Sequence, residues 1–304
     1  MRPTTNLFPD FSEQMIDGAG AQIYCRVGGD GPPLLLIHGF PSTHVMWHRI
    51  APALAEHFTT VLVDLRGYGR SEAPADDETH SVYAKRTMGD DLRAVMAGLG
   101  HDRYRVAGHD RGARVAYRMA FDSPDLIDRV AVLDILPTAE YWDRLSPAFG
   151  MAIYHWMFLA QPAPFPETLI GGAARYFCDH SIASWSKAKN LEAFDPVAMD
   201  DYRLMFDDPD RIAAMCADYR AGATTDLELD RADRAAGRKI VPPLLDLYGY
   251  TGIAPSDAHT EVWRRWAANV RGAPVDSGHF VTEENPQATL AALLAFLTAP
   301  ELAA

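Results

Sequence analysis

Three short stretches carry side chains able to do chemistry together. The first is GHDRG, residues 108–112, set between a strand-like YRVA and a helix-like ARVAYRMAF. Glycines on both sides of Asp110 permit a sharp turn and a close strand-to-helix approach, which would hold the carboxylate above a sheet at a helix N-terminus. An acid between glycines can also be a simple helix cap; its place after a buried strand favours a nucleophile. The second stretch is HGFP, residues 38–41, directly after LLLI. A loop there can aim main-chain N–H groups at charge developing beside the nucleophile, so Phe40 and Arg111 are the expected oxyanion donors through their backbones. The third is SGHF, residues 277–280, late in the chain, where His279 is the candidate general base. His38 and His109 belong to the two turns, and His155 to a distant helical stretch. A histidine base needs an acid to fix its tautomer. Asp134, closing the run VAVLD, is the expected partner, and Asp257 in GYTGIAPSD is the alternative.

The identity of the nucleophile restricts the reaction. A serine that displaced a leaving group from saturated carbon would end as an inert ether. An aspartate ends as an ester, which water opens by attacking the carboxyl carbon while N–H donors hold the oxyanion. Asp110 therefore suits alkyl transfer followed by hydrolysis.

Positioning these groups requires strands that end near one another. Buried-strand runs occur at residues 34–37, 61–64, 104–107, 130–134 and 244–248, separated by helix-length segments. That alternation predicts an α/β fold with a mostly parallel sheet and catalytic groups at the carboxyl ends of its strands. From Pro137 to Pro242 the pattern becomes aromatic and Met-rich at helical spacing, as in YHWMFLA, and strand runs resume only at VPPLLDLYG. The expected organisation is a core of residues 1–138 and 242–304 interrupted by a helical cap, 139–241; an independent helical domain is the other reading. ATLAALLAFL is expected to be a helix docked on the core.

Composition limits the partners. With 304 residues, 48% hydrophobic and 23% charged, the chain is that of a soluble globular protein. A formal charge of −13 with scattered Lys and Arg argues against nucleic acid or an anionic membrane as partner. The N-terminal MRPTTNLFPDF has no signal-like apolar core, and no run approaches the ~18 apolar residues of a membrane span, so a cytoplasmic location is the default expectation. Cys25, Cys178 and Cys216 are too far apart to suggest a disulfide framework or a metal site.

Taken together, HGFP, GHDRG, the late GH and the mid-chain helical segment resemble the α/β-hydrolase superfamily, in the branch with an aspartate nucleophile that contains dehalogenases and epoxide hydrolases. HGFPSTHVMWHR, GHDRGARVAYR, VLDILPTAEYW, IYHWMFLAQPAP, DYRAGA and SGHF are most similar to the fluoroacetate dehalogenase family, over nearly the whole chain. The resemblance implies a small 2-haloacid substrate, with Arg111 and Arg114 binding its carboxylate. It further implies His155, Trp156 and Tyr219 as the halide-binding set, Trp185 lining the pocket, no metal or organic cofactor, and a homodimer. Guanidinium groups can grip a carboxylate by two parallel hydrogen bonds. An epoxide hydrolase would share the nucleophile, base and acid and use tyrosines such as Tyr141, Tyr154 or Tyr219 as proton donors. The paired arginines have no use for a neutral epoxide. Preference among fluoro-, chloro- and bromoacetate is not readable from sequence.

Overall fold

The computed structural model describes residues 7–252 and 259–300. Its centre is one eight-stranded sheet: β1 (Ser12–Asp17), β2 (Gln22–Gly28), β3 (Pro33–Ile37), β4 (Thr59–Val63), β5 (Tyr104–His109), β6 (Ile127–Leu133), β7 (Leu244–Gly249) and β8 (Val270–Val275). The order is β1-β2-β4-β3-β5-β6-β7-β8. β2 pairs antiparallel with β1 and β4, and every pairing from β4 through β3 to β8 is parallel.

The five strand runs legible in the sequence are β3 to β7. Their residues are buried almost throughout, because helices cover both faces of a parallel sheet. β1 and β8 lie at the two edges and are largely exposed, so neither needs a continuous apolar run. β8, VRGAPV, even carries a proline, which an edge strand tolerates.

Eight helices, from Thr138–Asp143 to Thr225–Ala235, are inserted between β6 and β7. They meet the rest of the molecule through buried ion pairs and hydrogen bonds between core cations or hydroxyls and inserted acids. Arg118 binds Asp230 and Asp233 at 2.9 and 2.6 Å. Tyr117 donates to Asp230 at 2.9 Å, and Tyr68 donates to Asp218 at 2.7 Å. In the other direction, Tyr202 of the inserted Pro196–Phe206 helix donates to Glu283 at 2.5 Å. Part of the chain's acidity is thus used internally at this seam. The C-terminal helix, Pro286–Leu297, docks on the core through Leu293, Phe296 and Leu297. All three cysteines are free and buried. Among the described residues, no helix is long and apolar enough to cross a membrane.

Candidate active site

Asp110 opens the Asp110–Asp122 helix immediately after β5, with φ +44°. An L-residue held there costs on the order of 1 kcal/mol or more, so the surroundings must enforce it. Two glycines make that possible. A Cβ at Gly112 would strike the carbonyl oxygens of Ile37 and His38, and one at Gly108 would meet the backbone of Gly112. The Phe40 N–H donates to Asp110 Oδ1 at 3.0 Å, which puts the expected HGFP donor against the carboxylate. Arg111 lies in the first helical turn, where main-chain N–H groups have no intrahelical partner.

His279 is buried, and its Nδ1 lies 2.6 Å from Asp134 Oδ2. Asp134 follows β6 with φ +53°, and its Oδ1 accepts the Gly249 N–H at 2.9 Å. With Nδ1–H committed to Asp134, Nε2 is the basic nitrogen, and it lies 3.9 Å from Asp110 Oδ2. The His279 loop is tied at two points: its N–H donates to Trp185 O at 3.1 Å, and its carbonyl lies 2.8 Å from His109 Nε2. His38 is a turn residue, its Nε2 accepting the Leu65 N–H at 3.0 Å. Asp257, the alternative acid, lies outside the described residues.

The charges follow from this packing. Burial pushes the Asp110 carboxyl upward, but His279, Arg114, His109 and Arg111 outweigh it and hold the group below its ordinary value, ionised. Burial pushes His279 downward, and the hydrogen bond and charge of Asp134, with Asp110 behind them, outweigh that and raise it above 6.5. Burial lowers His155 to about 3, so its ring is neutral at working pH. Burial and the nearby Asp110 charge raise the Tyr219 hydroxyl well above its usual range, so it stays protonated.

The inserted helices bring His155, Trp156, Trp185 and Tyr219 over this carboxylate. Phe40 is at their centre, with ring centroids 6.4 Å from His155, 6.1 Å from Trp185 and 5.3 Å from Tyr219. Trp156 stacks on Tyr141 at 4.7 Å, and the Arg114 guanidinium lies over both rings, at 4.5 and 4.7 Å. Tyr154 is only half-buried and lines an outer cavity of about 400 Å³ with His180, Ser184 and Lys189. Trp185 is the wall shared by that cavity and the ring cluster, 4.3 Å from His155 and 6.2 Å from His279.

Several buried polar atoms here have no partner: Arg111 Nη1, Arg114 Nε and Nη2, His155 Nδ1 and the Tyr219 hydroxyl. Each such group costs about 1–3 kcal/mol if left unsatisfied. All four side chains lie close enough to the ionised Asp110 to interact with its charge, and such a set of donors can receive an anion. The two arginines are not equivalent, contrary to a simple picture of two forks. Arg114 anchors Nη1 on Leu136 O and Thr138 Oγ1, both at 3.0 Å, and keeps the Nε/Nη2 edge unpartnered. Arg111 commits that same edge to Asp218, which leaves Nη1 alone. Asp218 is not identifiable as a site residue in the sequence; standing next to Tyr219 in DYRAGA is its one signal.

The model of the α/β hydrolase fold family matches residues 32–286. A fluoroacetate dehalogenase from Burkholderia sp is 41% identical over 96% of this chain and 95% of its own length. A soluble epoxide hydrolase from Corynebacterium sp. (strain C12) is 30% identical over 91% of this chain and 94% of its own. A solved structure described as an α/β hydrolase, from Nostoc sp PCC 7120, superposes with a TM-score of 0.93 at 44% identity, covering 96% of this chain and all of that one. With this sheet order, this turn and these matches, the chain belongs to the α/β-hydrolase fold family.

Proposed function

We propose that this protein hydrolyses fluoroacetate, and other 2-haloacetates, to glycolate and halide. The observation that carries this reading is the set of buried, unpartnered N–H and O–H groups of Arg111, Arg114, His155 and Tyr219 around the ionised Asp110. Arg114 offers two parallel donors to the substrate carboxylate, and Arg111 adds a third while offsetting repulsion between substrate and nucleophile. Asp110 attacks C2; the C–O bond forms as the carbon–halogen bond breaks, and the electron pair leaves with the halide. Fluoride is strongly hydrated, so its release requires donors that replace water. His155, Trp156 and Tyr219 are assigned that task, with Trp185 lining the pocket.

His279 Nε2, oriented by Asp134, then takes a proton from water, and the oxygen adds to the ester carbon of Asp110. The tetrahedral oxyanion is held by the main-chain N–H groups of Phe40 and Arg111. On collapse the His279 imidazolium returns its proton to the departing alkoxide, which releases glycolate, restores the neutral base and leaves one water-derived oxygen on Asp110. A 3.9 Å separation between His279 Nε2 and Asp110 Oδ2 is too long for a hydrogen bond and suits a base that acts through water. The inserted helices serve as a cap that contributes the halide donors. No metal or organic cofactor is required, and the protein works as a homodimer in the cytoplasm.

The second reading is an epoxide hydrolase, favoured by the unpartnered Tyr219 hydroxyl and by the 30% identical relative. Two buried guanidiniums beside the nucleophile weigh against a neutral substrate. A fluoride electrode separates the two: the purified protein is expected to release fluoride from fluoroacetate, Asp110→Asn to release none, and styrene oxide to yield no diol. Diol without fluoride would overturn the haloacetate reading.

A further inference from the structure

One carboxylate of the cap collects three groups of the core. Asp218, in the Pro209–Ala223 helix, accepts from Arg111 Nε at 3.0 Å through Oδ2 and from Nη2 at 2.6 Å through Oδ1, and its carbonyl accepts Nη2 at 2.7 Å. It also accepts the Tyr68 hydroxyl at 2.7 Å and pairs with the Lys85 ammonium. Asp218, Arg111 and Tyr68 are fully buried, and Lys85 is nearly so. The same helix completes the enclosure. The Tyr219 ring covers the guanidinium carbon at 4.3 Å, and Gly222, one turn on, leaves it room: a Cβ there would come within 3.0 and 3.2 Å of Nη2 and Nη1.

We propose that Asp218 is the positioning residue of the carboxylate subsite: it turns Arg111 so that Nη1 alone is presented to the substrate, and it completes the subsite only while the cap is seated. This rests on the haloacetate reading above. A guanidinium has one edge, Nε/Nη2, that forms a side-on fork with a carboxylate. Asp218 occupies that edge, so Arg111 cannot use it to close on Asp110 and block the nucleophile. Arg114, anchored by Nη1, keeps its own edge for the substrate. The two arginines thus grip one small carboxylate by a fork and a single bond. The cluster is also balanced in charge: Asp218 and Asp226, the latter 3.7 Å from the Lys85 ammonium, face the two buried cations Arg111 and Lys85.

Loss of Asp218 should then weaken substrate binding more than the chemical step. In Asp218→Asn, the KM for fluoroacetate, and the Kd measured calorimetrically in the Asp110→Asn background, are expected to rise at least about tenfold, while kcat falls less than about threefold. Lys85→Met also breaks the buried network; it is expected to lower Tm but to move KM by less than about twofold. Asp218→Glu should recover part of the affinity. If Asp218→Asn does not fold, Gly222→Ala presses on the same guanidinium from one turn along the helix and should raise KM with kcat kept. An unchanged KM in Asp218→Asn or in Gly222→Ala, or an equal rise in Lys85→Met, would overturn the inference. Binding to Asp110→Asn needs no turnover, so the two ideas fail separately: absent fluoride release by the wild type sinks the haloacetate reading, and unchanged binding without Asp218 sinks this one.

Discussion

His279 Nδ1 lies 2.6 Å from Asp134 Oδ2, although 145 positions separate the two in the chain. This contact holds the imidazole with Nε2 toward Asp110 and raises its proton affinity against the opposing effect of burial. The base works only when neutral. Activity should therefore fall as pH drops through an apparent pKa above 6.5, and be complete on the alkaline side. A profile of kcat for haloacetate hydrolysis checks this; a plateau extending well below pH 6.5 would contradict it. Asp134→Asn should remove that upward pull and cost about 10³–10⁴-fold in rate.

Replacing the base should separate the two half-reactions. In His279→Asn the alkylation of Asp110 needs no proton transfer and should proceed, while ester hydrolysis stops. Intact-protein mass spectrometry is expected to show one carboxymethyl group per active site after incubation with fluoroacetate, mapped to Asp110. In wild-type protein turned over once in heavy-oxygen water, the label should appear in Asp110. Label confined to glycolate would rule out the ester route.

The arginines should respond differently to loss of geometry at constant charge. Arg114→Lys removes the unpartnered Nε/Nη2 edge and is expected to raise KM by about 10- to 100-fold, with smaller loss in kcat. Arg111→Lys forfeits a single substrate bond but also its clamp on Asp218, so instability should accompany its rise in KM. Steady-state kinetics with thermal melts distinguishes these patterns; equal KM effects without a stability difference would contradict the assignment.

The halide donors should matter most for fluoride. Burial lowers the His155 pKa to about 3 and the Tyr219 hydroxyl stays protonated, so in the proposed role both would act as neutral donors across the working range. Tyr219→Phe is expected to cut fluoroacetate turnover by about 10- to 100-fold, and chloroacetate or bromoacetate turnover less, because fluoride demands the most hydrogen bonding as it leaves. Parallel halide-release assays check the ratio. A uniform loss on all three substrates would place Tyr219 outside the halide site.

Part of the site was legible because its requirements are local. The turn around Asp110 needs glycines at both flanks, where a Cβ would strike backbone, and GHDRG displays them within five residues. The strands that carry the site were legible for a related reason: β3 to β7 are covered on both faces, so their sequences are uninterrupted apolar runs. The edge strands β1 and β8 answer to water and show no such run. Asp134 could be chosen by its place after a strand, but its bond to His279 is a product of the parallel order β6-β7-β8, which brings two distant loops to one end of the sheet.

The sequence by itself determined the nucleophile-like turn and pointed to the reaction class proposed for it. An aspartate in a nucleophile turn forms a hydrolysable ester, and that follows from residue identity and local backbone sterics. Only the tertiary structure decided how the arginines divide their work. Arg111 and Arg114 sit three residues apart with the same five donors each, and nothing local tells them apart. The distinction comes from Asp218, which reaches Arg111 from a helix more than a hundred residues away and takes the edge that Arg114 retains. Hydrogen-bond donors are a property of the side chain, but which of them remain for a ligand depends on what folding packs against the others.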